Sequence, residues 1–501
     1  MPRSKLPEKL YTCEQSKALD QTAIQAGEIP GIVLMERAGR AAFDQLLSLW
    51  PESRRLIVYC GGGNNGGDGY IVAALALQHG MDIQVKYLCA PEELKGDAML
   101  AFEIACKSAV PISAWKASSA DEFTTETVLV DALLGTGFSG NVRTDYAAAI
   151  GEMNANPCPV FAIDLPSGLS GDTGACGDAV VQAAATISFI GLKRGLLTGR
   201  GPAFSGQVFF DGLSVPASVL NGVSSVSRIG LGLYQLPKLD ADAHKGHRGH
   251  VLLVGGDNGF GGAIIMAAHA AARTGAGLIS VATRPNNVSA LLTRMPEVMV
   301  NEVAGAQDLR ALLEKASAVV VGPGLGRSAW SEQLLQPVLQ SGLPLVLDAD
   351  ALNLVASHVP SSVNYPKEHT WVLTPHPGEA ARLLNCSITD IQADRFSAVQ
   401  SIAQKYHAVV ILKGAGTLIA TRDQLVVADV GSVGMAVAGM GDILSGIVGA
   451  LLAQGLSPWQ AACIGVCLHG EAGMLVTQKH GLRGVMATDL LPYVRQLVNA
   501  M

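Results

Sequence analysis

Two successive α/β domains, each built on a mostly parallel sheet, are predicted for this chain, an N-terminal Rossmann-like unit and a second α/β unit after it. Three observations predict them. Short apolar runs recur along the whole sequence, each leading into a glycine turn and then a helical stretch. At 501 residues the chain is too long for one ordinary core, with about 150 residues per domain as the usual measure. Between residues 215 and 243 the periodicity lapses among Pro216, Gly222, Gly230, Gly232 and Pro237, which marks a linker. The domains are expected at residues 1–220 and 228–501.

Composition narrows the function. The chain is 49% apolar and 15% charged, enough to fill two large cores. A net charge of −7 argues against nucleic acid, and no Lys/Arg run suggests a membrane surface. The nine cysteines are dispersed, without Cys-x-x-Cys or zinc spacing, which fits a reducing compartment and a cytoplasmic location. Cys463 and Cys467, four apart on an apolar helix, read as core. Residues 1–10 are polar and charged and do not read as a signal peptide. Residues 443–470 lack Asp, Glu, Lys and Arg, but Gly455-Leu456-Ser457-Pro458 divides them into halves too short to span a bilayer.

In the first half, helical periodicity covers residues 14–26 and 32–49, broken at 27–31. Residues 56–60 form a buried strand. Gly61-Gly62-Gly63-Asn64-Asn65-Gly66-Gly67-Asp68-Gly69 follows as a glycine loop, and a helix is expected over residues 70–79. Strand, glycine loop and helix is a phosphate-cradling order. The spacing lacks the Gly-x-Gly-x-x-Gly pattern with a ribose-binding acid. The interleaved Asn64, Asn65 and Asp68 have no structural need to be there. Further strands are expected at 82–88, at 128–131 ending in Asp131, and at 160–164 ending in Asp164. Gly135-Thr136-Gly137-Phe138-Ser139-Gly140-Asn141 and Pro166-Ser167-Gly168 are the loops after them. Strand C-termini of a parallel sheet share one rim. Asn65, Asp131, Asp164 and Ser167 are therefore expected to converge, and such oxygen groups suit a hard cation. Each Asp taken alone reads equally as a cap of the next turn. Strands at 186–190 and 206–210 complete the unit.

In the second half, residues 250–254 start a new strand, glycine turn and helix, the helix opening near Ala263. Residues 277–282 and 318–321 are strands, the latter running into Gly322-Pro323-Gly324-Leu325-Gly326. Residues 345–347 lead to Asp348 and Asp350, which either hold a magnesium–nucleotide or cap the next helix. Residues 371–373 lead to His376, held between Pro375 and Pro377. Residues 409–412 end in Lys413-Gly414-Ala415-Gly416-Thr417, where Lys413 is a phosphate contact or a surface lysine. Residues 418–427 read as a hairpin around 421–424. Last comes Gly439-Met440-Gly441-Asp442, a glycine bend opening an apolar helix. Its free N–H groups make an anion site. Asp442 beside them is either a base or a cap.

The stretches 61–69, Asp131, 135–141 and 164–168 resemble the NAD(P)HX epimerase domain. His244-Lys245-Gly246-His247, 322–326, 374–379, 413–417 and 434–442 resemble the ADP/ATP-dependent NAD(P)HX dehydratase, a branch of the ribokinase-like superfamily. Together they cover nearly the whole chain, as in the fused bacterial form. The resemblance implies a ribokinase-like α/β/α sandwich for the second unit. It also implies repair of hydrated NADH and NADPH, namely epimer exchange in the first domain and ADP-consuming dehydration in the second. By the same resemblance Asn64, Asn65, Gly66, Gly67, Asp68 and residues 135–141 (Gly135, Thr136, Gly137, Phe138, Ser139, Gly140, Asn141) bind the hydrated cofactor. Asp164 is the acid/base, and Asn65, Asp131 and Ser167 hold K+. Ala263, Gly326, His376 and Asp442 line the dehydratase substrate, with Asp442 as its base. Lys413, Gly414, Ala415, Gly416, Thr417 and Gly441 bind ADP with Mg2+. A homo-oligomer is expected. Gly62 stands where the family usually has Pro, and Ser432-Val433 where it has Asn-Pro. The rival readings are a vitamin-precursor kinase, which shares the anion site and its Asp, and a non-enzymatic cofactor sensor.

Overall fold

The computed structural model describes residues 6–25, 29–117, 123–138, 140–238, 241–358 and 370–501. The chain divides into two compact units, Met1–Arg228 and Ile229–Met501.

Unit 1 carries a seven-stranded parallel sheet. Its strands are β1 (Arg55–Cys60), β2 (Asp82–Tyr87), β3 (Ile112–Ala114), β4 (Thr127–Ala132), β5 (Val160–Ile163), β6 (Ala185–Phe189) and β7 (Gln207–Asp211). The order is β3-β2-β1-β4-β5-β6-β7. The order reverses between β1 and β4, where ligands of open parallel sheets bind. Leu56, Ile57, Val58, Tyr59 and Cys60 are all fully buried. Leu56, Val58 and Cys60 join one core, Ile57 and Tyr59 the other. A strand covered on both faces reads as a continuous apolar run.

Three helices matter for the site: α1 (Cys13–Gln25), α2 (Gly31–Leu49) and α3 (Asn64–Gln78). The loop expected over 61–69 is shorter in the structure. It ends at Gly63, and Asn64 to Gly69 already belong to α3. Glycine disfavours helix interiors, so tertiary packing decides. A Cβ at Gly66 would lie 2.1 Å from the Gly61 carbonyl oxygen, one at Gly67 2.5 Å from Met35 Sδ, and one at Gly69 2.6 Å from Ala132 Cβ. The glycines let α3 sink onto the strand ends and α2.

Unit 2 carries β8 (His250–Val254), β9 (Leu278–Thr283), β10 (Met299–Glu302), β11 (Ala318–Val321), β12 (Leu345–Leu347), β13 (Trp371–Leu373), β14 (Val409–Leu412), β15 (Thr417–Ala420) and β16 (Leu425–Ala428). They run in the order β10-β9-β8-β11-β12-β13-β14-β15-β16. All pair in parallel up to β14, and β14, β15 and β16 pair antiparallel. The predicted hairpin is β15–β16, closed by Thr421 N–H on the Gln424 carbonyl at 2.9 Å. Its helices include α4 (Gly261–Thr274), α5 (Pro377–Leu384), α6 (Arg395–Tyr406), α7 (Met440–Ala453) and α8 (Pro458–His480).

Apolar α7 is buried rather than amphipathic, and α4 lies directly on it. A Cβ at Gly446 would sit 2.2 Å from the Ala267 carbonyl oxygen. Gly446→Val is expected to cost about 3 kcal/mol, the upper end for overpacking, read from the chemical-denaturation midpoint of this unit. Among the described residues no helix is long and apolar enough to cross a membrane.

Candidate active sites

In unit 1 the rim carries two linked groups. The first joins Asn65, Asp131 and Ser167, as expected from the strand ends. Ser167 Oγ donates to Asp131 Oδ1 at 2.6 Å, and Ser167 N–H donates to Oδ2 at 2.7 Å. Leu134 N–H donates to Ser167 Oγ, and Asn65 Nδ2 donates to the Leu134 carbonyl at 3.0 Å. Asn65 Oδ1 is buried and lacks a hydrogen-bond partner among the described residues. Burial pushes Asp131 up to about 6, against the lowering effect of its Ser167 and Leu133 hydrogen bonds. The loop after β4 packs here too, since a Cβ at Gly135 would touch Asn65 Cβ at 3.1 Å. Ser139 of that loop lies outside the described residues.

Asp164 departs from this set. Its backbone is left-handed, with φ of 63°, a conformation a non-glycine residue adopts at a cost. Its carboxylate pairs with buried Lys193 rather than with Asp131. Lys193 Nζ also donates to the Phe189 carbonyl at 3.2 Å, and Ser188 Oγ donates to Asp164 Oδ1 at 3.3 Å. Asp20 of α1 and Asp68 of α3 lie in the field of this pair. Sequence reasoning missed Lys193 and Asp20. The signal for Lys193 was a lysine next to Leu192 in an apolar stretch, where it stays 2% exposed.

In unit 2, α7 starts at a glycine bend, Gly439, with φ of 90°. A Cβ there would be strained and would meet Met266 of α4 at 2.7 Å. Asp442 stands in the first turn. Lys413 and Asp348 lie over Gly441, where an added Cβ would be 3.3 Å from Lys413 Nζ and 3.6 Å from Asp348 Oδ2. Lys413 Nζ donates to Asp348 Oδ1 at 2.9 Å and lies 3.8 Å from Glu379. Thr374 Oγ1 donates to Asp348 Oδ1 at 2.7 Å. Burial, with Asp348 nearby, pushes Asp442 up to about 7, although Lys413 pulls the other way.

The remaining residues fall around this centre with distinct local roles. Asp350 parts from Asp348 and accepts the Gly326 N–H at 3.0 Å. Gly326 has φ of 73°, and a Cβ there would meet Asp257 at 2.9 Å. Ala263 opens α4 beneath Gly324. His376 caps α5, its Nδ1 accepting from Gly378 N–H at 2.9 Å, so its ring is set by helix capping. Burial and then Lys413 hold its imidazole below the usual range. Burial drives His469 of α8 down to about 4.

Gly414 and Gly416 turn the chain after β14. Arg395, 1% exposed, underlies that turn. Its Nη2 donates to the Leu412 carbonyl at 3.1 Å and the Lys413 carbonyl at 3.2 Å. Arg395→Met is expected to destabilise unit 2 by about 1–3 kcal/mol per orphaned carbonyl. Denaturant titration of this unit checks it.

Comparison with known proteins bears on both units. Residues 251–496 match a family model described as NAD(P)H-hydrate dehydratase, and residues 31–195 match YjeF-related protein N-terminus. The bifunctional NAD(P)H-hydrate repair enzyme Nnr of Coxiella burnetii is 46% identical over 494 residues, covering 98% of this chain and 99% of that protein. The protein of the same description from Escherichia coli is 43% identical, covering 95% of this chain and 92% of that protein. Among solved structures, an ADP/ATP-dependent NAD(P)H-hydrate dehydratase from Bacillus subtilis is similar at 28% identity, with a TM-score of 0.48, covering 53% of this chain and 94% of that one. By identity and coverage along its whole length, the chain belongs to the bifunctional NAD(P)H-hydrate repair enzymes.

Proposed function

We propose that unit 1 exchanges the R and S epimers of hydrated NADH and NADPH, and that unit 2 dehydrates the S epimer with ADP, releasing AMP and phosphate. The observation that carries the second half is Asp442 in the first turn of α7, beside the Lys413–Asp348 pair. Asp442 takes the proton of the ring hydroxyl, and the oxygen accepts the terminal phosphoryl group of the nucleotide. Hydroxide is a poor leaving group and phosphate a good one. The ring nitrogen's electron pair then expels phosphate, the neighbouring carbon gives up a proton, and the reduced ring is restored. The N–H groups at the start of α7 face the migrating phosphoryl group. Lys413 to Thr417 and Gly441 hold the nucleotide, and Ala263, Gly326 and His376 line the hydrated ring.

Mg2+ is expected to arrive with the nucleotide, because it binds through phosphates with few protein carboxylates. Among the described residues no three His, Cys, Asp or Glu cluster as a ready metal cage. K+ fits Asn65, Asp131 and Ser167, where the buried, unpartnered Asn65 Oδ1 offers a hard oxygen ligand. When bound it supplies positive charge for the substrate's anionic groups. Asp164 acts on the ring carbon that bears the hydroxyl. Asn64 to Asp68 and the loop after β4, Gly135 to Asn141, cradle the rest.

The test is incubation of the full chain with hydrated NADH and ADP. AMP and NADH should form together in equal amounts. Nucleotide turnover without NADH, or a stable phosphorylated product from a vitamin precursor, would refute the reading.

A further inference from the structure

The unit 2 rim carries a guanidinium that is held on two sides and open on a third. Arg284 follows directly after β9. Its Nε donates to Asp257 Oδ1 at 2.7 Å, and its guanidinium carbon lies 4.2 Å from the ring centre of Trp330. Both supports are themselves fixed. Asp257 N–H donates to the Gly324 carbonyl at 2.7 Å, and Asp257 Oδ2 accepts from Ser328 Oγ at 2.8 Å. Trp330 is buried, and its Nε1 donates to the Val303 carbonyl at 2.9 Å. The two Nη groups of Arg284 bond no other described residue, and its side chain keeps 25% exposure.

A tie between the loops after β8 and β9 needs only the ion pair. Here the Nε bond and the indole together fix the plane of the guanidinium, so little freedom remains to be lost when its Nη edge meets a partner. Such an edge matches two oxygens of one phosphate.

We propose that Arg284 binds a phosphate of the hydrated dinucleotide in unit 2, away from the reacting ring. This rests on the dehydratase reading above.

The strand order gives the direction. The strands run β9-β8-β11-β12-β13-β14, and their C-terminal ends share one rim. With ADP held by Lys413 to Thr417 after β14, that end of the rim is taken. The hydrated ring lies against His376 after β13, Gly326 after β11 and Ala263 of α4. The phosphates and second nucleoside of the dinucleotide therefore leave toward β8 and β9. β9 stands three strands from β12, about 14 Å at the usual strand spacing, which is the scale of a dinucleotide's reach beyond its ring. Asp257 joins the two regions. A Cβ at Gly326 would lie 2.9 Å from Asp257 Oδ2, so the carboxylate that holds Arg284 also borders the ring-lining glycine. Two phosphates offer the required oxygens, the pyrophosphate common to both substrates and the 2′-phosphate of hydrated NADPH.

The experiment measures dehydration by the full chain at saturating ADP, with hydrated NADH and hydrated NADPH in turn. Arg284→Gln should raise the KM of the hydrated substrate about 10–100-fold, with kcat and the ADP KM within about twofold of wild type. A rise for both substrates assigns the pyrophosphate to Arg284, and a rise for hydrated NADPH alone assigns the 2′-phosphate. Asp257→Asn keeps an acceptor for Nε and leaves the guanidinium its charge, so the same KM should rise less than about threefold. If Asp257→Asn raises it as far as Arg284→Gln does, the pair is only a tie between loops and the proposal falls. It falls too if Arg284→Gln keeps the wild-type KM for both substrates, or lowers kcat at unchanged KM. Should Arg284→Gln fail to fold, the double variant Asp257→Asn, Arg284→Gln keeps a neutral hydrogen bond between the loops and carries the same KM test. Wild-type dehydration beside an unaltered Arg284→Gln refutes the phosphate contact alone. A wild type that makes no NADH from the S epimer with ADP refutes the dehydratase reading as well.

Discussion

Asp442→Asn should abolish nucleotide-driven dehydration, lowering kcat/KM by about 10³-fold or more, and leave epimer exchange within about twofold of wild type. The substitution keeps the size of the side chain and removes its basicity. The anion site at the start of α7 stays intact, because it is made of backbone N–H groups and the Gly439 bend. Nucleotide KM should therefore change little, and kcat should carry the loss. The wild-type pH profile gives the same information independently. Asp442 is pushed up to about 7 by burial and by Asp348. It works as a carboxylate, so kcat/KM for dehydration should rise as pH increases through about 7 and fall as the group takes up its proton below. Asp442→Asn should flatten that limb. Joint loss of both activities, measured in separate assays of one preparation, would contradict two separate catalytic sites.

Asp164→Asn should slow epimer exchange by about 10²–10⁴-fold and leave dehydration of pure S epimer unchanged. Asparagine suits the position better than alanine, because residue 164 has φ of 63° and Asn tolerates the left-handed region. The variant also strands Lys193, whose side chain is 3% exposed against 14% for Asp164. Breaking a buried pair from one side costs about 3–5 kcal/mol. The double variant Asp164→Asn, Lys193→Met removes the stranded charge and should recover much of that stability without recovering activity. Denaturation curves beside exchange rates would separate the two effects. Restored exchange in the double variant would show that Asp164 matters only through the fold.

The sequence exposed the central strands of both sheets because they are buried on both faces, and it missed the edge strands β3 and β10, which are partly exposed. Residues 56–60, 318–321 and 409–412 read as unbroken apolar runs for that reason. It also exposed Asp131, Asp164 and Lys413, since a polar residue ending such a run must meet the strand-end rim, and Asp442 through the glycine bend that opens an apolar helix. What it did not show was the true start of α3. Gly66, Gly67 and Gly69 look like a turn by propensity, and only their contact with Gly61, Met35 and Ala132 makes them helical.

Nor did it show which polar groups pair. Asp131 and Asp164 end neighbouring strands, yet one binds Ser167 and the other Lys193. His376 read as a placed substrate contact and is held by capping α5. Arg395 carried no local pattern, being a helix residue whose carbonyl partners, Leu412 and Lys413, lie at the end of the next strand. The sequence by itself determined the two α/β units and the acids at their rims, through hydrophobic pattern and glycine placement. Only the tertiary structure decided the partner of each charge, because burial and Coulomb interaction depend on distances between segments far apart in the chain.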